Sequence, residues 1–130
     1  MIVLDTHAWI WLLDDPTRFS GAATKAIRKN GPEALGISII SAWEVARKSS
    51  LGKLKLSMAS RVWLEHATLM EGLHVLPMSP EIAWESCNLP GSFHRDPADQ
   101  IISATARIHG LSIITCDKRL LEYDHIRSIW

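Results

Sequence analysis

The sequence predicts an α/β protein in which a mainly parallel sheet is covered by helices on both faces. Three features predict this class: short continuous apolar runs typical of buried strands, helical periodicity between them, and capping or turn residues at the boundaries. The apolar runs are clearest at 2–4 and 111–115. Strands that alternate with helices favour parallel pairing, because each return to the sheet uses a helical crossover.

The composition is that of a single globular domain. With 130 residues and 47% hydrophobic content, the chain is expected to fold as one domain spanning 1–130. No segment approaches the roughly 20 apolar residues of a membrane span, and the N-terminal residues lack the basic stretch of a signal peptide. We therefore expect a cytoplasmic protein with no membrane partner, in which Cys87 and Cys116 stay reduced.

The charges balance. Fourteen Lys and Arg side chains face fourteen Asp and Glu, so the net charge is zero. This argues against broad adhesion to nucleic acid by charge alone. It does not exclude a nucleic-acid enzyme, since bound cations can make an acidic site attractive to phosphate.

The elements follow from periodicity and from local start and stop signals. The pattern predicts strands at 2–4, 34–38, 74–78, 111–115 and 126–130, helices at 7–13, 22–29, 42–50, 57–72, 80–89 and 97–109, and a helical turn at 118–121. The first helix is apolar on nearly every side, so Trp9 and Trp11 belong to the core or, alternatively, to a partner surface. Asn30-Gly31-Pro32 is expected to end the second helix.

The third helix carries a capping signature. Ser41 and Glu44 are spaced as a capping box, with Ser41 as the N-cap and Glu44 in the first turn. Glu44 and Lys48 are also spaced as an i,i+4 ion pair. Nearby, Arg47, Lys48, Lys53 and Lys55 form a basic stretch, which we interpret as a solvated face, with phosphate contact as the alternative.

The stretch from His94 to Ala106 places two carboxylates at the start of a helix. Asp96 is a favoured N-cap, Pro97 suits the first helical position, and Asp99 lies in the first turn, where the helix dipole favours an anion. Capping alone explains this pattern. The other acidic residues of the chain give it a second interpretation.

Acidic residues follow or adjoin several predicted strands. Asp5 follows the first strand, Glu44 opens the helix after the second, and Asp117 follows the fourth. In a doubly wound sheet the carboxyl ends of the strands share one edge, where ligands bind. Carboxylates gathered there would repel unless a cation neutralised them, and oxygen-only ligands suit Mg²⁺ or Mn²⁺. Such ions promote phosphodiester hydrolysis.

These residues resemble a known family. Asp5-Thr6-His7, Ser41-Ala42-Trp43-Glu44, Asp96-Pro97-Ala98-Asp99 with Ala104-Thr105-Ala106, and Thr115-Cys116-Asp117 look like the ordered motifs of PIN-domain ribonucleases. The similarity is greatest to VapC-type toxins of bacterial toxin–antitoxin pairs, and it spans essentially the whole chain.

The resemblance implies a three-layer α/β/α PIN fold and a Mg²⁺- or Mn²⁺-dependent endoribonuclease acting on RNA. It implies a metal-holding acidic quartet, with a further acid and three hydroxyls beside it: Asp5, Glu44, Asp99 and Asp117 as the quartet, Asp96 as the further acid, and Thr6, Ser41 and Thr115 as the hydroxyls. It also implies a homodimer and a VapB-like antitoxin partner. Ala98 and Gln100 depart from the Phe and Arg often found there.

Other interpretations stay open on the sequence alone. A phosphoacceptor receiver domain also places acids at strand ends, but it needs a second acid beside Asp5, whose neighbours are Leu4 and Thr6. A non-catalytic binding module would explain every carboxylate as a cap. His7 and His94 adjoin the acids, as supporting groups or substrate contacts, and the other histidines lack metal-ligand spacing.

Overall fold

The computed structural model describes residues 1–31 and 33–130; Pro32, which the sequence places at the end of the second helix, lies outside them. Within the described residues there are five strands and seven α-helices: β1 (Ile2–Leu4), α1 (Thr6–Asp14), α2 (Gly21–Asn30), β2 (Leu35–Ser38), α3 (Ile39–Ser50), α4 (Ser60–Thr68), β3 (Leu73–Leu76), α5 (Pro80–Cys87), α6 (Pro97–His109), β4 (Ser112–Ile114), α7 (Lys118–Leu121) and β5 (Ser128–Ile129). A short 3₁₀ helix, Pro16–Arg18, follows α1.

The sheet is parallel throughout the described residues, and its order is β3-β2-β1-β4-β5. The α/β class and the parallel sheet predicted from the sequence are confirmed. The chain builds outward from β1 to β3 and then crosses back to place β4 on the other side of β1. The order therefore reverses between β1 and β4, and the crevice at such a reversal is where open α/β sheets bind ligands.

Side chains of each strand alternate between two cores, one on each face of the sheet. Ile2 and Leu4 pack into one core with α1, α2, α3 and α4, whereas Val3 packs on the opposite face against Ile102 and Ala106 of α6. Helix α5 packs in turn against α6. The sheet is thus the middle of three layers, as the resemblance to PIN domains implied.

Trp9 belongs to the larger core, as the first of the two interpretations predicted. Its side chain is fully buried and meets Trp63 edge to face, with ring centroids 4.8 Å apart. Trp11 is only half-buried and contacts the rim of the same core. No helix within the described residues combines the length and apolarity needed to cross a membrane.

The predicted start of α3 is wrong by three residues. The helix begins at Ile39, and its N-cap is Ser38, whose Oγ accepts a hydrogen bond from the Ile40 amide at 3.4 Å. Ser41 is not a cap but lies inside the helix, fully buried. The helix starts early because Ile40 packs into the second core, which the local capping signature does not reveal.

Helix α4 begins three residues later than the periodicity predicts, because Ser57 is held outside it, and it ends four residues earlier, at Thr68. Asp14, the last residue of α1, accepts hydrogen bonds from the Ser57 amide at 2.9 Å and the Ser57 hydroxyl at 2.7 Å. The same carboxylate accepts a hydrogen bond from Trp63 Nε1 at 2.9 Å. Asp14 therefore fixes both the loop before α4 and the ring that packs on Trp9.

We predict that Asp14→Ala destabilises the protein by roughly 1–3 kcal/mol, because three donors lose a charged acceptor. Burial opposes ionisation of Asp14, but the hydrogen bonds from Trp63 and Ser57 outweigh it and lower its pKa. A lowered folded-state pKa gives stability that is present above the unfolded value of about 3.9 and is lost as the pH falls through the folded value. In urea titrations, the difference between wild type and variant should shrink below about pH 4. Asp124→Ala, at an exposed site, is the control, and a constant difference at all pH values would contradict this account.

Candidate active site

The site lies at the carboxyl edge of the sheet, where the strand order reverses. Asp5 directly follows β1, and Asp117 follows the neighbouring strand β4 after Thr115 and Cys116. The Asp5 amide donates a hydrogen bond to the Ile114 carbonyl at 3.1 Å, so the two chain segments are joined as they leave the sheet. This pairing confirms that residues 5 and 117, far apart in sequence, emerge at adjacent positions on one edge.

Three of the acidic residues are helix N-caps. Asp5 accepts a hydrogen bond from the Ala8 amide at 2.7 Å, and Asp117 accepts one from the Arg119 amide at 2.8 Å. Asp96 accepts from two amides of α6, as the sequence predicted: Ala98 at 3.0 Å and Asp99 at 3.2 Å. Capping orients these carboxylates and supplies positive dipole ends beside them. The capping and the chemical interpretations are therefore compatible.

One small cleft of about 50 Å³ gathers most of the predicted site residues. Its lining includes four of the five predicted acids together with two cations, and it consists of Asp5, Thr6, His7, Glu44, Lys48, Asp96, Asp99 and Arg119. Asp117 does not line this cleft but is linked to it through Arg119. The cleft thus brings together Asp5 and Glu44, two of the three acids predicted to converge at this edge, whereas the third, Asp117, lies at its rim.

Glu44 reaches the cleft from the second turn of α3, not from its first turn as the sequence analysis expected. It forms the predicted i,i+4 ion pair with Lys48, with Oε2 and Nζ 3.5 Å apart. The Glu44 side chain is only 12% exposed. The ion pair holds the Lys48 ammonium at the rim of the acidic cleft.

Arg119 bridges two of the acids. Its Nη2 donates to Asp117 Oδ2 at 2.7 Å and to Asp99 Oδ2 at 3.3 Å, and its Nε donates to Asp117 Oδ1 at 3.2 Å. Sequence reasoning missed this residue. The signal that could have revealed it is its position two residues after a capping aspartate, from which the guanidinium folds back over the cap. Arg119 therefore supplies positive charge where two carboxylates approach each other.

Two of the carboxylates inside the cleft, Asp5 and Asp99, resist ionisation. Burial raises the pKa of Asp99 to about 7, and the charges of Asp96 and Asp117 add to this effect while Arg119 opposes it. Burial also raises the pKa of Asp5, although hydrogen bonds from Thr115 and the Ala8 amide favour its charged form. Asp117, at the rim, behaves oppositely, because its hydrogen bond from Arg119 lowers its pKa.

His94 lies beside Asp99, and its role as a supporting group or a substrate contact stays a prediction. Its Nε2 lies 3.2 Å from Asp99 Oδ2, close but not aligned as a hydrogen bond. Its Nδ1 accepts from the Asp96 amide at 3.3 Å. Burial, and then Arg119, lowers the pKa of His94, so the ring adds no charge near pH 7. Phe93 stacks on the ring with centroids 4.5 Å apart and fixes its plane.

The three predicted hydroxyls are buried and bind neighbouring groups. Thr6 donates a hydrogen bond to Ser41 at 3.1 Å, which ties α1 to α3. Thr115 accepts from the Asp117 amide at 3.0 Å, and its hydrogen bond to Asp5 favours that carboxylate's charge. All three thus position the segments that carry Asp5, Glu44 and Asp117.

The donor set fits a hard divalent cation by its chemistry. Carboxylate oxygens from several segments surround one cleft. Burial is the main cause of the raised pKa of Asp99, and neighbouring carboxylates add to it; a bound cation would favour the charged form of Asp99. Among residues 1–31 and 33–130, however, no group of three His, Cys, Asp or Glu side chains lies close enough together to hold a metal ion. Arg119 stands between Asp99 and Asp117, so cation binding at both requires its guanidinium to move.

A family model described as the PIN domain matches residues 2–126 of the chain. The chain belongs to the PIN domain family. It is 34% identical over 128 residues to Ribonuclease VapC22 of Mycobacterium tuberculosis, covering 98% of this chain and 95% of the relative. The expectation from the sequence motifs, a nuclease of the VapC type, is confirmed.

Solved structures of other proteins share the fold. VapBC2 from Rickettsia felis, bound to a DNA fragment from its promoter, matches with a TM-score of 0.68 and 14% identity, covering 98% of this chain and 97% of that one. FitAcB from Neisseria gonorrhoeae matches with a TM-score of 0.67 and 21% identity, covering 98% and 96%. At these identities the likeness concerns the fold.

We predict that the metal-free protein loses stability as the pH rises toward neutrality. The pKa of Asp99 is about 7 in the folded protein against an ordinary value of 3.8, so between these values the folded state holds a proton that the unfolded state releases. Stability therefore falls with rising pH across this window.

Asp99→Asn should flatten this dependence, leaving the part due to Asp5, whose pKa burial also raises. The measurement is the thermal midpoint in EDTA at several pH values, with Asp124→Asn at an exposed position as the matched control. Parallel curves for wild type and Asp99→Asn would show that Asp99 ionises normally.

Proposed function

We propose that this protein is a Mg²⁺- or Mn²⁺-dependent endoribonuclease, the toxin of a type II toxin–antitoxin pair, built as a single PIN domain of residues 1–130 and working in the cytoplasm. The observation that carries the proposal is the gathering of Asp5, Glu44, Asp96 and Asp99 around one cleft, with Asp117 at its rim. A ribonuclease relative that matches nearly the full chain supports RNA as the substrate.

The proposed catalytic and metal-holding residues are Asp5, Glu44, Asp99 and Asp117, with Asp96 as an additional acid. Bound there, a divalent cation supplies an activated water and stabilises charge on a phosphoryl oxygen. The protein contributes orientation: N-cap hydrogen bonds fix Asp5, Asp96 and Asp117, and the Thr6–Ser41 bond holds α1 against α3.

Two cations at the rim suit a phosphodiester substrate. Lys48 and Arg119 line the cleft, and each is now paired with a carboxylate. Lys48 and Arg119 would contact the phosphate of the substrate if they were released from these carboxylates. Asp99 is about half protonated at pH 7, because its pKa is about 7, and it would have to lose that proton to act as a ligand.

A VapB-like antitoxin is the proposed protein partner, and a homodimer the proposed assembly. Several structures that share this fold are described as toxin–antitoxin complexes, including one from Klebsiella pneumoniae with a TM-score of 0.61. The acidic cleft is a suitable target for a basic side chain from an inhibitor, which would take the place of Lys48 or Arg119 beside the carboxylates.

Asp99→Asn should abolish cleavage of cellular RNA and relieve growth arrest while leaving the fold intact, because the amide cannot take the charge of a metal ligand. We expect a loss of roughly hundred-fold or more in rate, equivalent to several kcal/mol of lost charge stabilisation. Purified wild type and variant are compared on total RNA with Mn²⁺, with circular dichroism as the check on folding. Full activity of the variant would refute the assignment.

Calorimetry with Mn²⁺ separates a metal-dependent nuclease from a non-catalytic binding module. Wild type should bind Mn²⁺ at pH 8, and binding should weaken in Asp99→Asn and Glu44→Gln. Affinity should also fall as the pH drops below about 7, because the proton on Asp99 competes with the cation. Absence of carboxylate-dependent binding would favour the non-catalytic module.

The antitoxin proposal is tested by co-expression with the product of any small reading frame found beside the gene. The two proteins should co-purify, and the complex should cleave RNA more slowly than the free nuclease. A neighbouring product that neither binds nor inhibits would contradict this partnership.

A further inference from the structure

A second cavity adjoins the catalytic cleft along α3. It has a volume of about 230 Å³, and its walls come from α3, the residues after it, and the start of α6. We call it the α3 groove, defined by Trp43, Arg47, Leu51, Lys53, Pro97 and Ala98. Glu44, Lys48 and Asp96 line both the groove and the catalytic cleft. A ligand in the cleft can therefore continue directly into the groove.

The groove contains an aromatic ring that is exposed and is not packed in the core. Trp43 is 54% exposed, whereas Trp9 and Trp63 are buried in the core. Leu51, beside it, is 53% exposed. An exposed indole next to a reaction site offers a flat face for stacking, and every nucleobase has a π-face that can use it.

The cations of the groove are available to a ligand. Within the described residues, no carboxylate lies within ion-pair distance of Arg47 or Lys53, in contrast to Lys48, which pairs with Glu44. The Arg47 guanidinium lies over the Trp43 ring, 5.7 Å from its centroid. Two acids, Glu44 and Asp96, line both the groove and the cleft. Glu44 is paired with Lys48, and Oδ1 of Asp96 accepts hydrogen bonds from two helix amides. The groove thus combines an aromatic face with unpaired positive charge.

We propose that the α3 groove binds the single-stranded RNA next to the bond that is cut, with one base stacked on Trp43 and the adjoining phosphates held by Arg47 and Lys53. This inference rests on the proposed ribonuclease function and adds a substrate-binding surface to it. Phosphate contact by Arg47 and Lys53 is the alternative interpretation that the sequence offered for this basic stretch.

Charge favours RNA over a second copy of this chain as the occupant. A symmetric contact through this groove would bring Arg47 and Lys53 against the same residues of the partner, and like charges facing each other are destabilising. A polyanion meets the same cations favourably, and its unpaired bases supply the partners for the indole. Duplex RNA keeps its bases stacked internally and cannot present them to Trp43.

The test measures binding of a fluorescein-labelled pool of short single-stranded RNA of random sequence, by anisotropy, in Mg²⁺. Asp99→Asn serves as the parent so that the RNA stays intact. Adding Trp43→Ala should weaken binding about ten-fold, in line with loss of one stacked base. Adding Trp84→Ala is the matched control, because Trp84 is 66% exposed on α5, between Glu81 and Glu85. That control should bind as the parent does.

A second measurement isolates the phosphate contacts. Adding Lys53→Gln to the parent should reduce the slope of log affinity against log salt by about 0.7, the value for one lost phosphate contact on a single strand. Lys25→Gln, on the exposed face of α2, is the charge-matched control and should leave the slope unchanged. Duplex RNA of the same length should show no dependence on Trp43.

Three results would overturn the proposal: no binding of the random pool by the parent, equal binding by the parent and the Trp43→Ala variant, or a loss of affinity that follows a change from dimer to monomer in light scattering. The last would assign the groove to self-association. Because binding is read without cleavage, these failures differ from failure of the ribonuclease proposal, which appears as an absence of RNA cleavage by wild type.

Discussion

Crowding of carboxylates at one edge of a parallel sheet is the constraint on which this structure depends. Asp5, Glu44, Asp96 and Asp99 share one small cleft. Burial raises the pKa of Asp99 to about 7, and the negative charges of Asp96, Asp117 and Glu44 add to this effect. Two features of the fold stabilise these crowded carboxylates. Helix N-termini direct amide donors at three of the acids, and Arg119 places a cation beside Asp117 and Asp99.

N-capping has two consequences in this fold. It starts the helices that follow β1 and β4, and it holds Asp5 and Asp117 in fixed orientations at the reversal of strand order. A residue that is explained by local structure is therefore not excluded from chemistry. The same logic applies to Thr6, Ser41 and Thr115, whose hydrogen bonds join the segments that carry the acids.

Acidic and basic side chains occupy different parts of the cleft and its surroundings. Acids lie inside, whereas Lys48 and Arg119 lie at the rim and Arg47 and Lys53 line the adjoining groove. A chain with zero net charge thereby places an acidic cleft beside a groove that carries unpaired basic side chains. Net charge alone conceals this separation, because it arises from which side chains the fold brings to each place.

The sequence by itself determined the parallel α/β class, the Asp96 cap, the end of α6 at Gly110 and the identity of the acids, because periodicity and capping are local properties. Only the tertiary structure decided where α3 begins, since the burial of Ile40 overrides the capping box at Ser41. It likewise shortened α4 through the contact between Asp14 and Ser57, 43 residues apart. The bridge from Arg119 to Asp99 and the groove beside Trp43 also join segments distant in sequence, and no local pattern encodes such contacts.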